Sequence, residues 1–193
     1  MLLDVTPSIR SFAQAIDRQR QGLEHIPLLD AGRSDLADLM RALDEAEAAA
    51  LAVKVGADLE RFAQGARSVN VPVLRADEIA EEYRVYESRA AGADAVVLRA
   101  GAVPAELLAR LARAVSSTHM TPCIVCATAE EMAQAAGLRA VIAVEDPALL
   151  SKVPPRTLIL ALSAAAGLRG HADAVLDADL SDPQAFRRIL EEE

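Results

Sequence analysis

The sequence predicts an α/β fold: one (β/α)8 TIM-barrel-like domain, truncated, with short loops and a seventh helix nearly absent. Three observations predict it. Eight short apolar runs, most of them rich in Val, Ile and Leu, recur along the chain, and continuous runs of that length suit strands buried on both faces. Amphipathic stretches separate most of them, which is the pattern of parallel strand–helix–strand units. The 193 residues fall short of the roughly 200 that a full barrel of this kind needs, so some connection is trimmed.

The elements follow in order. SIRSFAQAIDRQRQ (8–21) reads as a helix in an N-terminal segment, 1–22, ahead of the first strand, IPLL (26–29). In 34–49, Leu36, Leu39, Met40 and Leu43 share one helical face, and Ser34 is placed to cap its start. LAVKV (51–55) is the second strand, and 57–68 is a helix carrying Leu59 and Phe62. VPVL (71–74) leads into a helix over 78–92, ended by Gly92 at a position that favours glycine. AVVL (95–98) precedes a helix over 104–117, with Pro104 at its first position. CIVC (123–126), a helix over 129–137 ending at Gly137, and VIAV (141–144) come next. DPALLSKV (146–153) is a short helix before LILAL (158–162). The link 163–172 has room for one turn and no crossover helix, and AVL (174–176) is the eighth strand. A C-terminal helix spans 182–193. The eight-strand barrel thus occupies 26–176 of a single domain, 1–193.

Net charge is −9 and aromatic residues are 3%. That argues against nucleic acid or an anionic membrane as a partner, because a polyanion needs a basic surface. No apolar run is long enough to span a membrane, and the first residues lack the basic-then-apolar pattern of a secretory signal, so the expected address is the cytoplasm. Cys123 and Cys126 have C-x-x-C spacing, yet on a strand residues three apart face opposite ways, so a structural role is expected rather than a shared metal. His25, His119 and His171 fall near strand beginnings, with no accompanying carboxylate or cysteine motif. No metal and no cofactor are expected.

The stretch VPVLRADEIAEEYRVYESRAAGADAVVL, with DLADLMRALDEAEAAALAV before it, resembles indole-3-glycerol phosphate synthase, the ring-closing, decarboxylating enzyme of tryptophan biosynthesis. The family writes the first as a PVLRKDF strand end followed by a YEARAAGADA-like helix. The resemblance implies a barrel whose reactive residues sit at the C-terminal strand ends, and here most of them are replaced. The AEIK pattern of the first strand corresponds to Leu28 and Asp30. The lysine that serves as general acid in the third strand corresponds to Ala76, and the phenylalanine after it to Glu78; Arg75 and Asp77 are kept. The fifth-strand glutamate corresponds to Val125, and the sixth-strand asparagine to Val144 or Glu145. The SESG phosphate loop corresponds to Ala164, Ala165, Ala166 and Gly167, and the last phosphate loop to Asp177, Ala178 and Asp179. Two like charges about 5 Å apart repel by roughly 3 kcal/mol at an effective dielectric of about 20, so acids there oppose phosphate binding.

Polar groups nevertheless remain near the predicted C-terminal strand ends, the face where barrel enzymes keep their sites. Lys54 is a candidate base or imine-forming amine, with Asp30 and Asp77 tuning it. Arg75, Glu78 and Glu145 are candidate ligand-binding residues, and Arg99 lies at the same level. The plainer reading is that these charges are solvated or paired with one another. The expectation is a non-catalytic synthase-like barrel acting as a binding, scaffold or dimerisation protein, with no small-molecule ligand; the alternative is a carbon–carbon lyase acting on a small metabolite. Thin helical cover over strands 7 and 8 predicts an exposed apolar patch there, covered by a protein partner or a second copy.

Overall fold

The structure is a computed structural model; it describes residues 5–18, 22–165 and 167–192. Eight parallel strands, β1 (Glu24–Asp30), β2 (Leu51–Lys54), β3 (Val73–Glu78), β4 (Ala95–Arg99), β5 (Thr121–Cys126), β6 (Val141–Val144), β7 (Ile159–Ala161) and β8 (Ala174–Asp177), close in sequence order. The helices are α1 (Phe12–Ile16), α2 (Leu36–Glu45), α3 (Leu59–Arg67), α4 (Glu82–Ala90), α5 (Ala105–Ser117), α6 (Ala129–Gly137) and α7 (Pro183–Glu192). Short 3-10 turns lie at Ala100–Ala102, Pro147–Lys152 and Asp179–Ser181. No helix among the described residues is long and apolar enough to cross a membrane.

Alternation along the strands builds two apolar layers. Ile26, Ala52, Leu74, Val97, Val125, Ala143, Leu160 and Leu176 fill the barrel interior, and Phe12 and Ile16 of α1 pack against that cluster. The opposite faces, Leu29, Val53, Val96, Ile124 and Ile142 among them, pack with Leu36, Phe62, Val85, Leu108 and Met132 of the helices. Asp94, 1% exposed, ties the N-terminal segment to the barrel. Its carboxylate accepts hydrogen bonds from Ser8 Oγ at 2.6 Å, Val73 N at 2.9 Å and Arg89 Nη1 at 2.9 Å, and pairs with Arg10 at 2.7 Å. Arg10 also donates to the Val69 and Gly92 carbonyls.

Several boundaries differ from the sequence reading, each for a local reason. The helix expected over 78–92 begins at Glu82 because β3 runs on: after an irregularity in register Glu78 pairs with Val97, and Ile79 N donates to the Val97 carbonyl. Ser34 does not cap α2; Asp35 is its N-cap, without a side-chain cap bond, and its carboxylate accepts from Arg33 instead. Pro104 is the N-cap of α5 rather than its first residue. The helix expected over 8–21 is the five-residue α1, capped by Ser11, and residues 19–21 lie outside the described residues, as does Glu193 of the C-terminal helix. DPALLSKV forms a 3-10 turn, with Asp146 accepting from Ala148 N at 2.9 Å. Gly92 does end α4, at φ 104°.

The link 163–172 contains no helix among its described residues, in keeping with the trimmed connection. The exposed apolar patch expected beside it is absent from the described residues. Ile159, Ala161 and Val175, the outward residues of β7 and β8, are buried in the outer layer, and Leu168 from the link and Leu150 from the 3-10 turn are buried there with them. Large exposed apolar side chains among the described residues are Ile9, Tyr83 and Leu190, none of them on β7 or β8. The ground for expecting a partner at that place is thereby removed.

Candidate functional site

The C-terminal strand ends form the barrel mouth. Strand alternation assigns its residues: Ile26 and Leu28 lead to Asp30, Ala52 to Lys54, Leu74 to Ala76 and Glu78, Val97 to Arg99, and Ala143 to Glu145. Val144 belongs to the outer layer, so Glu145 takes the inward slot that the sequence left open between the two.

Arg99 dominates this mouth. Its Nε donates to Glu78 Oε1 at 2.7 Å, and its Nη2 donates to Glu145 Oε1 at 2.7 Å. The hydrogen bonds that it donates to both carboxylates hold the Arg99 guanidinium far above its ordinary range of titration, and the hydrogen bond from Arg99 holds the Glu145 carboxyl below its own. The three residues were each legible as mouth charges. Their union was not, because it depends on how far β3, β4 and β6 extend past the barrel wall.

Arg75 and Asp77 have a different role in the wall. Arg75 is 5% exposed and lies between β3 and α4. Its Nη1 donates to Ser88 Oγ at 3.0 Å and Glu87 Oε2 at 3.4 Å, while its Nε sits 3.6 Å from Asp77 Oδ2. Asp77 accepts from Val55 N at 2.8 Å and Gly56 N at 3.0 Å, bracing the loop that leaves β2. Alternation from Leu74 carries the signal that both face outward. Asp30 accepts from Gly32 N at 2.7 Å. Lys54, the register neighbour of Asp30, is exposed and makes no ion pair among the described residues.

Of the positions that the resemblance assigns to reactive groups, Leu28, Ala76 and Val125 hold apolar side chains, while Asp30 and Glu145 are acidic. Val125 is buried in the barrel interior and Leu28 packs against it as a partly buried member of the same cluster. Asp177 faces outward rather than into the mouth: it accepts from Asp179 N at 2.9 Å, and its other oxygen is 3.7 Å from His25 Nδ1. Ala166, in the link compared with a phosphate loop, lies outside the described residues. Cys123 lies in the interior and Cys126 in the outer layer. Burial pushes both thiols up, Cys126 to about 12, so both are protonated and unreactive at neutral pH. Among the described residues no group of three or more His, Cys, Asp and Glu is arranged to hold a metal ion.

A family model described as indole-3-glycerol phosphate synthase matches residues 32–146, a stretch that takes in β2 to β6. A curated indole-3-glycerol phosphate synthase of Leifsonia xyli subsp. xyli is 43% identical over 68 residues, 35% of this chain and 26% of the relative. One from Neisseria meningitidis serogroup C is 40% identical over 90 residues, 44% of this chain and 35% of the relative. The matched stretch thus spans about a quarter to a third of these relatives. Among solved structures, a chain of the tryptophan synthase a2b2 complex of Pyrococcus furiosus superposes with a TM-score of 0.64 at 14% identity, covering 89% of this chain and 97% of that one; the likeness is one of fold.

Proposed function

Because this chain belongs to the indole-3-glycerol phosphate synthase family, we propose that it is a family barrel that has given up ring closure and acts through binding. The observation that carries this reading is the Glu78–Arg99–Glu145 bridge in the mouth. It stands at strand ends where a substrate would have to be held, and its charges are already satisfied by one another. Around it, three of the slots that the resemblance assigns to acid–base groups hold Leu28, Ala76 and Val125. A general acid must offer a transferable proton within hydrogen-bond reach of the reacting atom, and these side chains have none.

The test is direct. The protein is mixed with the family's phosphorylated anthranilate-derived substrate, and indole fluorescence is followed against a buffer blank. No rise above the blank is expected; turnover abolished by Lys54→Ala would replace this reading with the second one. That second reading, a carbon–carbon lyase, is favoured by Lys54 alone, an exposed and unpaired amine beside Asp30. Borohydride trapping of an imine on Lys54 with a small carbonyl compound, followed by mass spectrometry, reports on it separately.

A further inference from the structure

We propose that the N-terminal end of the barrel, opposite the mouth, carries a site for a small multivalent anion, built by Arg113, Arg139 and Arg156. Two clefts adjoin there. One, of about 290 Å³, lies where the end of α6 meets the starts of β6 and β7, and Arg139 and Arg156 line it with Thr121 and Thr157. The other, of about 360 Å³, lies between α5 and α6 and is lined by Arg113, Ser116 and Arg139. Arg139 lines both, so the two clefts meet at this residue.

The local charge is the reverse of the molecule's. The chain has 29 acidic and 20 basic residues, yet no carboxylate lines either cleft. Several other arginines are matched with acids: Arg10 with Asp94, Arg33 with Asp35, Arg84 with Glu87, Arg99 with Glu78 and Glu145. Arg113, Arg139 and Arg156 are exposed and have no ion pair among the described residues. Arg139 and Arg156 adopt φ of 55° and 62°, the left-handed region in which glycine is the favoured residue.

Guanidinium forks match the oxygens of phosphate and carboxylate groups. A single exposed pair of this kind is weak, but a ligand with two anionic groups engages both clefts, and its second contact forms at high effective concentration. A long polyanion such as nucleic acid would run from the clefts onto the acidic remainder of the surface, where it is repelled. The ligand is therefore a small di- or polyanion, with pyrophosphate as its simplest probe. This site is independent of the reading of the mouth.

The test is calorimetric titration with pyrophosphate and, separately, inorganic phosphate. Pyrophosphate is expected to bind about tenfold more tightly than phosphate and to weaken on adding salt. The double variant Arg139→Gly, Arg156→Gly accommodates the left-handed backbone; its melting temperature should not fall, while pyrophosphate binding weakens by about tenfold or more. Arg113→Gln, on the exposed face of α5, should weaken binding in the same direction and guards against misfolding of the double variant. Absence of binding to the wild-type protein at about 10 mM pyrophosphate, or unchanged affinity in both folded variants, overturns the proposal.

Discussion

Arg99 is placed by two rules that act together. Alternation puts it on the inward face of β4, and its length carries the guanidinium past the wall to Glu78 and Glu145. Each pair is partly solvent-exposed, so the bridge is worth about 0.5–1 kcal/mol in total rather than a large fraction of the fold's stability. Its pH dependence has a definite sign. The folded Glu145 carboxyl lies below its ordinary value of 4.5, held there by the hydrogen bond from Arg99. Its stabilisation is therefore present above that value and is lost as the pH falls through the lower folded one. Arg99→Met should thus be less stable than the wild type by about 0.5–1 kcal/mol in urea denaturation at about pH 7, and the gap should close by about pH 3. A gap of equal size at both pH values would assign the effect to packing of the arginine stem. At this scale much was legible: the residue types near the mouth follow from where the apolar runs end. What residue type alone missed was facing at β3, where Arg75 reads as a mouth charge until alternation from the inward Leu74 turns it outward to Ser88.

Elements were legible where burial dictates them and less so where caps and ladders compete. All eight strands announce themselves because both faces are apolar, and no solvent-facing alternation is needed to find them. The start of α4 did not, since Glu78 has the composition of a helix start yet pairs with Val97. Packing between elements is a further layer that periodicity does not report. Gly65 of α3 sits against α2, where a Cβ would overlap Met40 Sδ and come within 3.6 Å of Leu36, and both of those residues are fully buried. Replacing glycine by alanine inside a helix gains up to about 1 kcal/mol from propensity, whereas overpacking a filled core costs about 1–3 kcal/mol. Overpacking wins here because Met40 has no solvent to move into, so Gly65→Ala should destabilise by about 1–2 kcal/mol. Gly137, at the end of α6, is the contrast: a Cβ there would meet nothing within 4 Å. Gly137→Ala should be neutral or stabilising by up to about 1 kcal/mol. Chemical denaturation of the two variants checks both signs, and a stabilised Gly65→Ala would mean that α2 and α3 are free to separate.

Closure of the whole barrel was the property least legible in the sequence, because a link without a helix leaves open whether β7 and β8 meet. They do, and a device used twice helps to join them. Asp94 and Asp173 each stand just before a strand, in ADAV at 93–96 and again at 172–175. Each accepts a hydrogen bond from the N–H of the first residue of the preceding strand, Val73 or Ile159, at 2.9 Å, and each donates its own N–H back to that residue's carbonyl. The two clamps are four strands apart, so they brace opposite sides of the barrel wall. They do not make the two sides equal. β4 and β5 share five register pairs, with α4 and α5 packed nearby, whereas β7 and β8 share two, with a 3-10 turn and a helix-free link beside them. Local opening follows the element with the fewest ladder bonds and the thinnest cover, so the barrel should breathe at the β7–β8 seam while β8 keeps its four register pairs with β1. Native-state hydrogen exchange should find the amides of Ile159–Ala161 protected about tenfold less, or weaker still, than those of Val96–Leu98. Equal protection across both segments would show that the wall opens only as a unit, and that the buried Asp173 clamp fully replaces the helix that this barrel lacks.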